Sequence, residues 1–226
     1  GAYHILHGVD LAVPRGEVTM LLGRNGAGKT TTLRTIMGLW QASQGSIRFG
    51  QQDITRLATP AIAQLNIAYV PENMGIFADL TVKENLLLAA RSASHAARMD
   101  RSRLDWIYEL FPAVQKFWDH PAGKLSGGQK QMVAVARAIV EPRDLLIVDE
   151  PSKGLAPAII NNMIEAFAQL KAGGVSILLV EQNLAFAKRL GDGVAVMDNG
   201  RVVHAGRMAD LAADEELQQS LLGLAL

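Results

Sequence analysis

The chain has no cysteine among its 226 residues, which excludes disulfides and thiolate metal sites and fits a reducing compartment. It has no excess of either charge: 22 Lys and Arg face 22 Asp and Glu, for a formal net charge of zero. That balance argues against a nucleic-acid-binding surface, and no nucleic-acid partner is expected. No apolar run reaches the length needed to span a bilayer. There is no internal repeat, low-complexity tract or visible signal peptide, and a chain opening Gly1-Ala2 is expected to have lost its native start. Hydrophobic residues make up 49% and charged residues 19%, the balance of a globular chain with room for one large domain and a substantial core.

The stretch Gly23-Arg24-Asn25-Gly26-Ala27-Gly28-Lys29-Thr30 has the pattern of a phosphate-binding loop. An apolar run, Val18 to Leu22, precedes it, and a helical pattern with Leu33, Ile36, Met37 and Leu39 follows. Glycines let backbone N–H groups turn inward and approach phosphate oxygens. The helix starting near Lys29 points its positive dipole end at the same place. Lys29 can reach the β- and γ-phosphates, and the Thr30 hydroxyl can ligate Mg²⁺.

Val18–Leu22 ends at Gly23, Ile67–Val70 at Pro71-Glu72, Leu145–Val148 at Asp149-Glu150, and Val175–Val180 at Glu181-Gln182. Short, nearly continuous apolar runs suit strands covered on both faces of a parallel sheet. Ligands of open α/β sheets bind at the carboxyl ends of the strands, so Glu72, Asp149, Glu150 and Gln182 are candidates for the site that the phosphate loop marks. Asp149 and Glu150 close an aliphatic strand, and Pro151 turns the chain out of the sheet. One acid can then hold Mg²⁺ while the next faces the γ-phosphate and orients water.

Elsewhere the expectations are coarser. Leu6, Val9, Leu11 and Val13 followed by Pro14-Arg15-Gly16 read as a hairpin feeding the first strand. Ile47 and Phe49 lie before a turn at Gly50-Gln51-Gln52-Asp53, and a short helix covers Pro60 to Leu65. Helical stretches at Val82–Ala93, Asp100–Phe111 and Ser126–Val140 form an insertion in the α/β core. Within it Leu86, Leu87, Leu88, Trp106, Ile107 and Phe111 are expected to pack in the core. Arg91, Arg98, Arg101 and Arg103 form a solvated face. Asp198-Asn199-Gly200 between Val194–Met197 and Arg201–His204 marks a hairpin. Leu217, Leu221 and Leu222 mark a terminal helix.

Leu125-Ser126-Gly127-Gly128-Gln129 opens the third long helix. Ser126 and Gln129 form a capping box. Two glycines in a first turn cost about 1 kcal/mol each relative to alanine, and local folding gives no reason for them. A glycine-rich helix N-terminus does make an anion site.

Gly23–Thr30, Leu125–Gln129 and Leu145–Glu150, in that order, resemble the ATPase subunit of ATP-binding cassette (ABC) transporters over essentially the whole chain. Tyr69-Val70-Pro71-Glu72, Glu150-Pro151-Ser152-Lys153-Gly154-Leu155-Ala156-Pro157 and Leu179-Val180-Glu181-Gln182-Asn183 resemble the branched-chain amino acid importer group. Its sister systems carry urea, short amides or aromatic acids. The resemblance implies an α/β P-loop NTPase fold: a mainly parallel central sheet, an antiparallel β-subdomain and a helical insertion. A single domain over 1–226 is expected, with the core at 1–73 and 141–226 and the insertion at about 74–140.

It also implies roles. Gly23, Arg24, Asn25, Gly26, Ala27, Gly28, Lys29, Thr30 and Thr31 would bind ATP, with Tyr3 stacking on adenine or that aromatic lying before Gly1. Thr30, Asp149 and Glu72 would serve Mg²⁺. Glu150 would polarise water, with Lys29 and Gln182 at the γ-phosphate. Leu125, Ser126, Gly127, Gly128 and Gln129 would clasp ATP bound to a second ATPase subunit. The loop from Glu72 to Leu80 would reach a transmembrane permease subunit at the cytoplasmic face of the bacterial inner membrane, with a periplasmic solute-binding protein beyond. The chain departs from the family where Glu72 replaces a glutamine, Gln182 a histidine and Lys153 an aliphatic residue. The alternatives are a soluble cassette ATPase without transport, which usually carries two cassettes, coiled coils or basic surfaces, and a catalytically silent binding module. Intact Lys29, Asp149 and Glu150 oppose the second.

Overall fold

The computed structural model describes residues 5–90 and 99–223. Tyr3, Arg91 and Arg98 lie outside the described residues. The elements run β1 (Val18–Gly23), α1 (Lys29–Ile36), β2 (Arg48–Phe49), β3 (Gln52–Asp53), α2 (Thr59–Gln64), β4 (Ile67–Val70), α3 (Val82–Leu87), α4 (Arg101–Leu110), α5 (Pro112–Lys116) and α6 (Gly127–Ala138). They continue with β5 (Leu145–Asp149), α7 (Pro157–Ala172), β6 (Ser176–Glu181), α8 (Leu184–Leu190), β7 (Gly193–Asp198), β8 (Arg201–Arg207), α9 (Met208–Ala213) and α10 (Glu215–Leu222).

The strand order is β4-β5-β6-β1-β7-β8. All neighbours are parallel except the β7–β8 hairpin. Alternation explains why the apolar runs are continuous. On β1, Val18, Met20 and Leu22 face one hydrophobic cluster and Leu21 faces the other. On β5, Leu146 and Val148 face the first and Leu145 and Ile147 the second. Helices cover both faces, so no polar side is needed. Each fully buried side chain of this kind is worth about 1.5–3 kcal/mol in apolar transfer. Asn199 (φ 44°) and Gly200 (φ 75°) form the two-residue turn of the β7–β8 hairpin, as the Asn-Gly pair predicts.

Helices α3 to α6 occupy the chain between β4 and β5. The capping boxes at Thr81/Glu84 and Ser126/Gln129 are both formed. Leu86, Ile107 and Phe111 are fully buried, whereas Leu88 is 62% exposed, a correction to its expected core position. It lies off the Val82–Leu86 stripe. Arg101 is solvated and paired with Asp105, but Arg103 is not part of a solvated face. Its guanidinium lies over Trp106 and donates to the Ile139 carbonyl at 2.8 Å, and burial lowers its pKa.

Two turn-level expectations also fail. Residues 5–17 form no strand, so the N-terminal hairpin is absent. Leu6, Val9, Leu11 and Val13 still pack on the cluster under α1. Alternation reports which side is covered, not whether a ladder partner exists. Gln52 and Asp53, expected in a turn, form β3 and pair antiparallel with β2, leaving Gly50-Gln51 as the turn.

Candidate active site

The phosphate loop is held by its neighbours. Gly23 (φ 148°) ends β1 so close to β7 that a Cβ there would lie 2.3 Å from the Met197 carbonyl oxygen. Gly28 (φ 105°) caps α1 in the left-handed region, with Leu6 and Met197 packed beneath it. Arg24, Asn25 and Gly26 are exposed and Ala27 is buried. Lys29 folds inward: its Nζ donates to the carbonyls of Gly23 (2.7 Å) and Arg24 (3.0 Å). Burial lowers the Lys29 pKa, against the pull of Glu150, Asp149, Glu72 and Glu181. Thr30 and Thr31 follow on the first turn of α1, half-buried.

Asp149 ends β5 beside Val180 of β6. Its two carboxylate oxygens are buried, with the Thr30 side chain beside them and no well-aligned donor. Burial pushes its pKa up; the Thr30 side chain and Lys29 work the other way. A buried, unpartnered carboxylate beside a threonine hydroxyl fits a hard divalent cation that takes its remaining ligands from substrate phosphate and water. Among the described residues no group of three or more His, Cys, Asp and Glu could hold a metal unaided. Glu72, also nominated for metal, is engaged instead by Lys153, whose Nζ donates to it at 2.6 Å.

Glu150 sits at φ 50°, strained for a non-glycine residue, immediately after the strand. One of its oxygens accepts from Gln182 Nε2, and the other lies 3.4 Å from Lys153 Nζ. Gln182 Nε2 also donates to Asn25 Oδ1 at 2.8 Å. Gln182 therefore ties the end of β6 to the phosphate loop and to Glu150. A cavity of about 400 Å³ opens at this edge, lined by Gly23, Arg24, Asn25, Glu181, Gln182 and Leu222 among others. The sheet brings Lys29, Thr30, Asp149, Glu150 and Gln182 to one edge from α1, β5 and β6.

Leu125 to Gln129 lie elsewhere, at the start of α6, which packs against α3, α5 and β4. Leu125 is buried and Ser126 caps the helix. The two glycines differ. A Cβ at Gly128 would lie 3.1 Å from both Cγ atoms of Ile159 on α7, a tight tertiary approach that adds to the expectation that local folding gives no reason for the glycine. A Cβ at Gly127 would meet nothing within 4 Å.

A family model described as ABC transporter matches residues 6–153. The chain belongs to the ABC transporter family. This ABC chain is 39% identical over 226 residues to the high-affinity branched-chain amino acid transport ATP-binding protein BraG of Pseudomonas aeruginosa, covering 99% of this chain and 95% of the relative. It is 34% identical to the probable branched-chain amino acid transport ATP-binding protein LivF of Archaeoglobus fulgidus, covering 98% and 93%. The crystal structure of a nucleotide-free ATP-binding cassette from an ABC transporter matches with a TM-score of 0.82 and 26% identity, covering 99% of this chain and 95% of that one.

Three features of this ABC chain escaped the sequence reading. Glu181 is 2% exposed and accepts from the Ser152 N–H and hydroxyl, both at 2.9 Å, and from the Gln182 and Asn183 N–H groups. Burial raises its pKa against those bonds. It ties the turn after Glu150 to the strand that carries Gln182. Arg137, the one charge on the buried part of α6, donates to the carbonyls of Gly75 (2.6 Å) and Met74 (3.1 Å). Asn85, fully buried, accepts from the Phe77 N–H and donates to the Phe77 carbonyl, both at 3.0 Å. These two side chains fix the 72–80 loop and leave Phe77 53% exposed. For Arg137 the available signal was a lone charge inside the apolar run Met132–Val140; Asn85, which follows Lys83 and Glu84, gave none.

Proposed function

We propose that the chain is the ATP-binding and ATP-hydrolysing subunit of an importer for a small solute, branched-chain or other hydrophobic amino acids. The observation that carries the hydrolytic part is the meeting of Lys29, Thr30, Asp149, Glu150 and Gln182 at one sheet edge. Residues 23–31 bind the phosphates, and Lys29 leaves the Gly23 and Arg24 carbonyls for the β- and γ-oxygens. Thr30 and Asp149 hold Mg²⁺, which supplies charge stabilisation to the phosphates when bound. Glu150 accepts the proton of the attacking water, and Gln182 holds Glu150 and Asn25 in register for it. Leu125 to Gln129 act on ATP held by a second ATPase subunit.

The branched-chain assignment is supported by the names and coverage of the relatives BraG and LivF. Under it, residues 74–140 form the helical insertion, and the 72–80 loop, held by Arg137 and Asn85 with Phe77 exposed, meets the transmembrane permease subunits. The assembly sits at the cytoplasmic face of the bacterial inner membrane with a periplasmic solute-binding protein as its outer partner. No helix among the described residues is long and apolar enough to cross a membrane itself.

Lys29→Ala tests the site. ATP affinity by titration calorimetry falls and steady-state turnover is abolished, because the phosphates lose their charged donor. Unchanged affinity and turnover would sink the assignment.

A further inference from the structure

We propose that Lys153 is a positioning residue of the nucleotide site, pairing with exposed Glu72 and largely covered Glu150 so that both acids can flank a polyanionic substrate. The inference rests on the ATPase reading above. Glu72 leaves the end of β4 and Glu150 the end of the neighbouring β5. Lys153, on the turn that follows Glu150, reaches back between them. Its Nζ lies 2.6 Å from Glu72 Oε1 and 3.4 Å from Glu150 Oε2. One ammonium therefore serves two carboxylates, while Gln182 holds the other oxygen of Glu150.

Glu72, Asp149, Glu150 and Glu181 all act on Lys29, and Arg24 and Arg34 stand nearby; removing Lys153 takes away the cation that sits directly between Glu72 and Glu150. Triphosphate would then meet uncompensated negative charge. Stability does not account for the pair. Lys153 is 61% exposed and Glu72 47% exposed, and ion pairs so placed contribute little to folding. What the pair does change is the field that an incoming anion meets, which a neighbouring charge alters at any distance short of the screening length. Lys153 also holds one oxygen of Glu150, leaving the geometry of the proposed base dependent on it.

The test is a double-mutant cycle on the purified chain, read by calorimetric ATP affinity with and without Mg²⁺ and by melting temperature. Lys153→Ala weakens ATP binding by on the order of tenfold, the effect of one unpaired charge in a partly screened site. Adding Glu72→Gln removes one of the two negative charges that Lys153 balanced, so the double variant has the wild-type net charge and returns to within about twofold of wild-type affinity. Melting temperatures stay at the wild-type value in all three. Wild-type affinity in Lys153→Ala overturns the inference, and so does a double variant as weak as Lys153→Ala. A wild-type chain that does not bind ATP overturns the ATPase reading instead, and is seen before any variant is made.

Discussion

Asp149 carries a buried carboxylate that no well-aligned hydrogen bond reaches, with the Thr30 side chain beside it. Burial raises its pKa, so the folded chain favours the protonated acid. Its contribution is therefore most favourable below the ordinary carboxylate value of 3.8 and is lost as pH rises through the higher folded-state value. At neutral pH the ionised acid costs stability until a cation arrives. Asp149→Asn, without nucleotide, should melt above wild type at neutral pH by about 1–3 kcal/mol, the range for an unpaired buried polar group. The two curves should converge as pH falls toward about 4. MgATP should reverse the order, stabilising wild type and not the variant. A variant that is no more stable at neutral pH would mean that Asp149 is already compensated. The run Leu145–Val148 and its terminal acids gave away the position of this carboxylate. Nothing in one dimension gave away Lys153 beside Glu72, or Glu181 beneath Ser152. Those contacts join residues 81 and 29 positions apart, through a sheet register that a single sequence does not encode.

At the scale of the element, continuous apolar runs told their own fate, because strands covered on both faces leave no polar alternation to misread. The segment Leu6–Val13 alternates as an edge strand does, yet packs without a ladder. Alternation constrains burial, and hydrogen bonding is a separate condition. The start of α6 is the element where local cost and use divide between adjacent glycines. Gly128 is held by Ile159, and Gly127 by nothing. Gly127→Ala should therefore stabilise the chain by up to about 1 kcal/mol through helix propensity. It should also lower ATPase turnover, if the bare backbone at that N-terminus approaches an anion. Gly128→Ala should gain no stability until Ile159→Ala opens the space. Thermal melts and steady-state rates on Gly127→Ala, Gly128→Ala and the Gly128→Ala/Ile159→Ala double variant separate the two roles. Full turnover in Gly127→Ala would leave its glycine without a part in the anion site.

In the whole molecule, the phosphate loop and the start of α6 belong to different regions of one surface. The loop follows β1, while α6 lies on β4, α3 and α5. β4 stands three places from β1 in the sheet, a separation of roughly 14 Å at ordinary strand spacing. One copy cannot readily fold its own α6 over its own loop. Under the proposed reading, a second ATPase subunit, identical or not, facing the first about a two-fold or pseudo-two-fold axis would satisfy both sites at once, each lending the N-terminus of α6 to the other's nucleotide. ATP would then be part of the interface, and hydrolysis would remove the γ-phosphate that joins the two subunits. Glu150→Gln separates binding from chemistry: the amide keeps the shape of the side chain and cannot take the proton of water. This variant should bind ATP, hydrolyse it roughly 10²–10⁴-fold more slowly if Glu150 is the general base, and accumulate as a dimer. Sizing chromatography with light scattering, in ATP and in ADP, reads the outcome on the chain alone and on the assembled transporter. A dimer in ATP that reverts to monomer in ADP fits the shared site. A monomer in both nucleotides, in both samples, would mean that the N-terminus of α6 serves some other anion and that the two-copy site is wrong.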